Sequence, residues 1–477
     1  MTKLPAMKTK MIATIGPASR QKEVLAQLID AGVRIFRLNF SHGNAASFTE
    51  IIHTLRDLEN QRGIPLTLMQ DLSGPKIRLG NLKDEQPIEV HKGTRLLLGP
   101  SAMASDELPF LPFDHQEVLS EMEEGDHLVL ADGSMFLRVI EKRPGCVFVI
   151  EAENAGYITS RKGLTLPGKS IPVPALTEKD KINLVEGLAM GVDAVALSYV
   201  QTPDDIREAK AIIQQQGYNV PVVAKLERRN AVERLESILT EADIIMVARG
   251  DLGVECSLAE VPAMQKRIIR ACNEAAKPVI VATQMLVSMV SNPSPTRAET
   301  TDVANAVWDG ADCVMLSEET AMGAYPVEAV NYMREIATQA EAVMEERHRL
   351  PTACEHGCVS EFFAYSACLL AEKAGARGIV VHTQRGASAR MISTLKPHCP
   401  VFAVTSDKAV LRALNFSWGI RPRQLEMIGE EDHLSRVERF INASSHFAPG
   451  DHVVITASSS QGTATDFRTD LVKIYRK

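Results

Sequence analysis

No apolar run in this chain approaches the ~20 residues that a membrane-spanning helix requires, so a transmembrane placement is excluded. The first residues, Met1-Thr-Lys-Leu-Pro-Ala-Met-Lys8, carry charge with no apolar segment behind them, and no secretory leader is expected. Positive charge is not in excess: 52 Lys and Arg against 60 Asp and Glu give a formal net charge of −8. Nucleic-acid-binding domains are normally basic, so that partner class is set aside. Cysteine is sparse and scattered, eight in 477 residues, which suits reduced thiols in a cytoplasm and not a disulfide framework. Cys354-Glu-His356-Gly-Cys358 is the one cluster that looks like a metal site, but it lacks a second ligand pair at zinc-like spacing. Low-complexity segments are absent. What is present, 45% hydrophobic and 23% charged residues, is the composition of a globular protein with room for two or three domains.

Short apolar runs alternate with helical stretches. Strands are expected at 11–15, 34–40 and 66–70, with helices over 23–31 and 45–60, and Gly32 suits the C-terminal cap of the first helix. From about 80 to 167 the rhythm changes to short alternating runs separated by Gly125-Asp126, Asp132-Gly133 and Pro144-Gly145, the pattern of a small all-β insertion. The βα rhythm then resumes, with strands at 193–197, 220–225, 244–247, 278–282 and 312–316. Eight strands, each followed by a helix, make a (β/α)8 barrel. The expected domains are the barrel over 1–79 and 168–345, a β-barrel lid over 80–167, and an open α/β domain over 351–477. In that last domain a helix is expected over 360–374 and strands at 378–382, 401–404 and 452–456.

The C-terminal ends of the barrel strands are where such folds bind ligands. Here they read Arg37, Asn39, Ser41 and His42; Asp71 and Arg78; Ser198; Lys225 and Glu227; Arg249 and Asp251; Thr283 and Gln284; Ser317 and Glu319. A barrel built only for stability has no reason to concentrate charge there. Glu227 and Asp251, on neighbouring strands, would repel each other unless a cation lies between them, and hard oxygen ligands suit Mg²⁺ or Mn²⁺. The competing arrangement is a Glu227–Arg249 salt bridge. Lys225 and Arg37 add positive charge suited to a phosphoryl group in transfer. Gly250 and Asp251, at a helix start, offer amides to a carboxylate or phosphate. From the residues alone, this reaches metal-assisted handling of a small, phosphorylated, acidic substrate.

Longer motifs carry a resemblance: Arg37-Leu-Asn-Phe-Ser-His42-Gly43, Gly74-Pro75-Lys76-Ile77-Arg78, Met246-Val-Ala-Arg-Gly-Asp-Leu-Gly-Val-Glu255, Ala282-Thr-Gln-Met-Leu286 and Pro295-Thr-Arg-Ala-Glu299, extended by Asp302-Val-Ala-Asn-Ala-Val307 and Asp309-Gly310. Together they resemble pyruvate kinase over nearly the whole barrel and insertion, and more loosely over the C-terminal domain. The resemblance implies phosphoryl transfer from phosphoenolpyruvate to ADP, giving pyruvate and ATP at the last step of glycolysis. It implies that Glu227 and Asp251 hold the divalent metal, that Lys225 stabilises the phosphoryl group in transit and that Arg37 binds the substrate phosphate. Gly250, Asp251 and Thr283 would hold the substrate carboxylate. Thr283, with Ser317 and Glu319 behind it, would serve enolate protonation, and His42, Arg78 and Lys162 would contact the nucleotide. Lys162 lies where the insertion returns to the barrel, as suits a lid that excludes water. The family is generally a homotetramer with a phosphorylated effector in the C-terminal domain. Here Thr383, Arg385 and Ser388 would cradle that phosphate, with the loop 458–462 closing over it.

Two rivals stand beside this reading. A metal-dependent enolate-forming lyase or aldolase on a pyruvate-like substrate shares the carboxylate–metal–Arg logic, but needs no lid bearing a nucleotide-contacting Lys. A non-catalytic regulatory protein would not need Lys225, Glu227, Asp251 and Thr283 all in place. One departure from the family pattern changes an expectation. Many members hold K⁺ near Asn39, Ser41 and Asp71, with a Glu after the Gly-Pro pair, whereas this chain has Lys76 there. A tethered ammonium supplies the monovalent charge, so K⁺ is expected to be dispensable. Turnover should persist when K⁺ is replaced by a bulky organic cation at equal ionic strength; its collapse under that exchange would refute the substitution.

Overall fold

The computed structural model describes residues 7–75, 77–131, 133–169, 171, 173–347, 350, 359–425, 432–457 and 471–477. Lys76, the Cys354–His356–Cys358 cluster and the loop 458–462 lie outside them.

Eight short strands close into a parallel barrel: β1 (Lys10–Thr14), β2 (Ile35–Asn39), β3 (Thr67–Asp71), β4 (Ala194–Leu197), β5 (Val222–Leu226), β6 (Ile244–Ala248), β7 (Val279–Ala282) and β8 (Cys313–Leu316). Each pairs with its neighbours in sequence, and β8 closes on β1 through Lys10–Cys313 and the three pairs that follow. Strands buried on both faces read as continuous apolar runs, and β3, β5 and β6 are buried along their whole length. Alternate residues separate two cores. Ile12, Ile35, Met69, Val223, Met246, Ile280 and Met315 fill the barrel interior, while Phe36, Leu38, Leu68, Val222, Ala224, Ile245, Val247 and Val281 pack outward against the helices. Phe416, from the C-terminal domain, joins the interior cluster, and its carbonyl accepts from the Cys313 thiol at 3.1 Å.

The insertion after β3 is a curled six-stranded sheet, in the order Leu164–Thr165, His127–Leu130, Met135–Arg143, Val147–Ala152, Arg95–Gly99, Phe110–Pro112, with a two-stranded ribbon of Ile88–Val90 and Gly156–Ile158 beside it. The sheet curls without its edge strands pairing to each other, yet sheet and ribbon share one apolar core. The C-terminal domain is a five-stranded sheet. Strands β9 (Ile379–His382), β10 (Val401–Thr405), β11 (Ile420–Gln424) and β12 (His452–Ala457) are parallel, and β13 (Leu471–Arg476) is antiparallel on the edge, in the order β11-β10-β9-β12-β13. It docks on the N-terminal end of the barrel through buried polar contacts. Asn415 donates to the Pro65 carbonyl at 2.9 Å, Arg412 pairs with Glu59 at 2.7 Å and Asp193 at 3.1 Å, and Asp312 accepts from the Trp418 amide at 3.0 Å.

Among the described residues no helix is long and apolar enough to cross a membrane, and Cys146, Cys256, Cys272, Cys313, Cys368 and Cys399 are free thiols.

One glycine is fixed by close approach. Gly187, in the helix Glu178–Ala189, would bring a Cβ within 2.3 Å of the Gln70 Oε1 atom, and Gln70 donates to the Asn183 carbonyl at 2.7 Å. Gly187→Ala should therefore destabilise the fold by about 1–3 kcal/mol, the usual cost of overpacking. Chemical denaturation of the two proteins checks this.

Candidate active site

The interior series of the barrel strands continues past the apolar core into charged residues. Ile35 is followed two residues on by Arg37, Met69 by Asp71, and Val223 by Lys225 and then Glu227. Because side chains alternate with period two, these groups inherit the inward direction at the strands' C-terminal ends.

They bind each other. The Arg37 Nε atom donates to Asp71 Oδ2 at 2.6 Å, and Arg37 Nη1 reaches the Thr14 hydroxyl at 3.1 Å. The Lys225 ammonium touches Asp71 Oδ1 at 3.2 Å, the Ser198 hydroxyl at 2.7 Å and Glu227 Oε1 at 2.8 Å. The other Glu227 oxygen accepts from the Tyr199 amide at 2.8 Å. All of this is nearly dry: Asp71 is 1% exposed, Glu227 2% and Lys225 8%. Burial disfavours the Lys225 cation, but Asp71 and Glu227 outweigh that and hold its pKa above the ordinary lysine value. Burial likewise penalises the Asp71 carboxylate, yet the charges of Lys225 and Arg37 and their hydrogen bonds keep its pKa below the usual carboxylate value. Glu227 is different. Burial raises its pKa; the Lys225 charge lowers it in part, and the nearby Asp251 charge adds to the rise, so the carboxyl stays above the usual value. Arg37 and Lys225 both answer Asp71, whereas Glu227 shares Lys225 with it and also feels the Asp251 charge.

Among the described residues no group of three or more His, Cys, Asp or Glu side chains forms a complete metal cage. A pair of carboxylates with excess negative charge, lining an open cleft, suits a hard cation that keeps other oxygen ligands, and Mg²⁺ or Mn²⁺ fits that donor set.

The cleft measures about 400 Å³. Arg37, Asn39, Ser41, His42, Lys225, Glu227 and Asp251 line its barrel side, and Arg78 and Lys162 line its lid side. Arg78 pairs antiparallel with Gly163, and the Lys162 carbonyl accepts from the Leu79 amide at 2.9 Å, so the lid's outgoing and returning segments run together. Asn39 turns its Oδ1 to the Ser41 amide at 3.1 Å. Asp71 lies beneath the cleft, held by Arg37 and Lys225.

Other expected residues sit nearby in different settings. Arg249 is one residue out of the inward series, and its guanidinium turns outward to Asp302 at 2.7 Å and to the Thr283 carbonyl at 2.8 Å. The Glu227–Arg249 ion pair is therefore not formed. The Gly250 amide donates to the Thr283 hydroxyl at 2.7 Å, so the two groups expected at the substrate carboxylate bind each other here. Thr283 and Gln284 both have positive φ, 67° and 54°, and Tyr199 has 57°. Non-glycine residues avoid that region, and such strain gathers at functional sites. Glu319 is buried and accepts from the Leu286 amide at 3.0 Å and the Ser317 amide at 2.7 Å, while the Ser317 hydroxyl has no hydrogen-bond partner. Neither lines the cleft. In the C-terminal domain, the Thr383 hydroxyl accepts from the Gly386 amide at 2.8 Å, directly after β9. Arg385 is exposed there and Ser388 lies in the first turn of the helix Ala387–Thr394.

Tyr199, Arg228 and Glu255 also line the cleft, and no role was expected for them. Arg228 lies over the Tyr199 ring at 5.2 Å and stands 3.9 Å from Glu255. Glu255 falls four residues after Asp251, one turn along the same helix face, and that spacing was a readable signal.

A family profile described as "Pyruvate kinase, barrel domain" matches residues 6–330, and one described as "Pyruvate kinase, alpha/beta domain" matches 361–475. The chain belongs to the pyruvate kinase family. Pyruvate kinase 2 of Synechocystis sp. is 39% identical over 98% of this chain and 79% of that protein, and the pyruvate kinase of Agrobacterium vitis is 39% identical over 97% and 96%. A crystal structure of a pyruvate kinase from Cryptosporidium parvum superposes with a TM-score of 0.89 at 33% identity, covering 98% of this chain and 96% of that one. Membership makes the chain a phosphotransferase.

Within this pyruvate kinase cleft, burial pushes Glu255 up to about 7, and Arg228 only partly offsets it. The folded state thus holds a proton that the unfolded chain releases above the ordinary Glu value, so stability falls as pH rises from about 4.5 through 7. Relative to Glu255→Gln, the unmodified chain should lose on the order of 3 kcal/mol at most between pH 5 and pH 8. Denaturation midpoints of both proteins at those pH values measure it.

Proposed function

We propose that this chain moves the phosphoryl group of phosphoenolpyruvate to ADP, giving pyruvate and ATP, with Mg²⁺ or Mn²⁺ held by Glu227 and Asp251. The observation that carries this reading is the dry Arg37–Asp71–Lys225–Glu227 network at the strand ends. Phosphoryl transfer needs positioning and charge neutralisation more than covalent chemistry, and this network supplies fixed cations with their directions already set. A divalent ion bound there would neutralise charge on the substrate oxygens and orient them.

Arg37 binds the substrate phosphate, and Asp71 holds its guanidinium in direction. Lys225 stabilises the phosphoryl group as its bond to the enolate oxygen breaks and a bond to the terminal ADP oxygen forms. Gly250, Asp251 and Thr283 receive the substrate carboxylate, for which the Gly250–Thr283 hydrogen bond opens. The enolate takes a proton at carbon through the Thr283 side of the site. There the unpartnered buried hydroxyl of Ser317 supports a relay, and Glu319 fixes the backbone around it. His42, Arg78 and Lys162 hold the nucleotide, and lid closure excludes water that would hydrolyse the donor. With Lys76 in the chain, the Asn39, Ser41 and Asp71 position does not require K⁺. Thr383, Arg385 and Ser388 take a phosphorylated effector, in a cytoplasmic homotetramer.

A coupled assay for ADP-dependent pyruvate formation tests the reaction directly. Asp251 is exposed on a short helix, so Asp251→Ala should keep the fold and lower turnover by about 10²–10³-fold or more, the scale of losing one preorganised electrostatic contact. The same variant should lose the rise in melting temperature that Mg²⁺ gives the unmodified chain. Near-normal turnover in Asp251→Ala would overturn the assignment.

A further inference from the structure

At the opposite end of the barrel from the catalytic cleft lies a second cavity, of about 560 Å³, between the barrel base and the C-terminal domain. Five cations line it. Lys10 opens β1, Arg34 precedes β2, Arg334 comes from the helix Pro326–Arg347, and Arg421 and Arg423 share one face of β11. Asp30 is the single acid in the lining, and its carboxylate is taken by Arg62 at 2.9 and 3.0 Å. Glu341 acts on Lys10 from outside the cavity, but its oxygens accept from the Lys8 and Thr9 amides.

Among the described residues none of the five cations forms an ion pair. Main-chain carbonyls satisfy several of them. Arg34 donates to the Ile29 and Val33 carbonyls at 2.7 Å each, Arg334 to the Ala31 carbonyl at 3.2 Å, and Lys10 to the Ile420 carbonyl. Carbonyls fix direction without cancelling charge. The cations also oppose one another: burial lowers the pKa of Lys10 to about 8 with Arg34 and Arg421 contributing, and it lowers Arg34 with Arg423 contributing. Like charges gathered in a concave, partly dry site raise the local concentration of counter-ions. Arg421 and Arg423, two residues apart on β11, lie over the Phe402 ring at 5.7 and 6.0 Å, and Arg423 also meets His446 Nε2 at 3.3 Å. None of these contacts cancels charge, and guanidiniums suit phosphate oxygens.

We infer that this cavity binds a small, phosphate-type anion carrying two or more negative charges, bridging barrel strands β1 and β2 to β11. It shares no residue with the catalytic cleft or with the Thr383–Ser388 loop. A bound anion would tie the domains together where their contacts are most strongly cationic. Its binding would therefore depend on how the C-terminal domain sits on the barrel.

Inorganic pyrophosphate is the probe, titrated calorimetrically in metal-free buffer into a Thr383→Val, Arg385→Ala background that silences the other anion loop. Adding Arg421→Gln and Arg423→Gln should weaken binding by about tenfold or more, with turnover in the absence of pyrophosphate unchanged. Should the double change prevent folding, Arg421→Gln alone is compared with Arg421→Lys, and loss with Gln but retention with Lys is expected. Pyrophosphate held in the catalytic cleft would be bound equally by every variant. Equal affinity across them would therefore overturn the inference.

Discussion

The site depends on one buried ammonium. Lys225 sits on the inward face of β5 and is shared between Asp71, from β3, and Glu227, at its own strand's end. Breaking a buried pair by removing one partner typically costs about 3–5 kcal/mol, because the remaining charge is stranded. Lys225 therefore belongs to the fold's electrostatics as much as to its chemistry. Asp71 passes the constraint on to Arg37, and Glu227 passes it on to the strained Tyr199 turn through an amide hydrogen bond. What Lys225 cannot do is neutralise Asp71, Glu227 and Asp251 together. Glu227 and Asp251 are the carboxylate pair that a hard cation keeping other oxygen ligands would suit.

The scaffold serves this balance. Short parallel strands with apolar interiors bring Arg37, Asp71, Lys225 and Glu227 to one level, because each extends its strand's inward series. The lid then returns beside its own exit, with Gly163 paired to Arg78, so two basic side chains approach the cleft on adjacent segments. The side chains that line the cleft are thus carried on strand ends and on a pair of segments bridged to each other. The strained turns at Tyr199, Thr283 and Gln284 lie between them.

Much of this was legible in the sequence because two periods were. The βα rhythm located all eight barrel strands to within a residue or two, and the change of rhythm located the insertion. Strand parity explains where the reading of strand ends went astray. Arg249 follows Val247 in the outward series, so it turns to Asp302 and cannot meet Glu227. Other features escaped for other reasons. β11 carries Arg-Pro-Arg and does not look like a strand until its neighbour β10 is present to pair with it. β13 is a charged edge strand. Tyr199 acts through burial, which a linear sequence does not display, whereas the four-residue spacing of Glu255 from Asp251 was there to be read. The pairing of Gly250 with Thr283 is a tertiary contact across two strands. Nothing in either segment announces it.

The central claim is that unbalanced charge on Glu227 and Asp251 is what a divalent cation answers. Burial and the Asp251 charge raise the Glu227 pKa above the usual carboxylate value, against a partial lowering by Lys225, and a cation bound to that carboxylate must displace any proton it holds. Calorimetric titration of Mg²⁺ or Mn²⁺ in buffers of different ionisation enthalpy counts that proton. The account predicts net proton release on metal binding to the unmodified chain, and weakened binding without release for Glu227→Gln. Metal binding with no proton release, undiminished in Glu227→Gln, would contradict it.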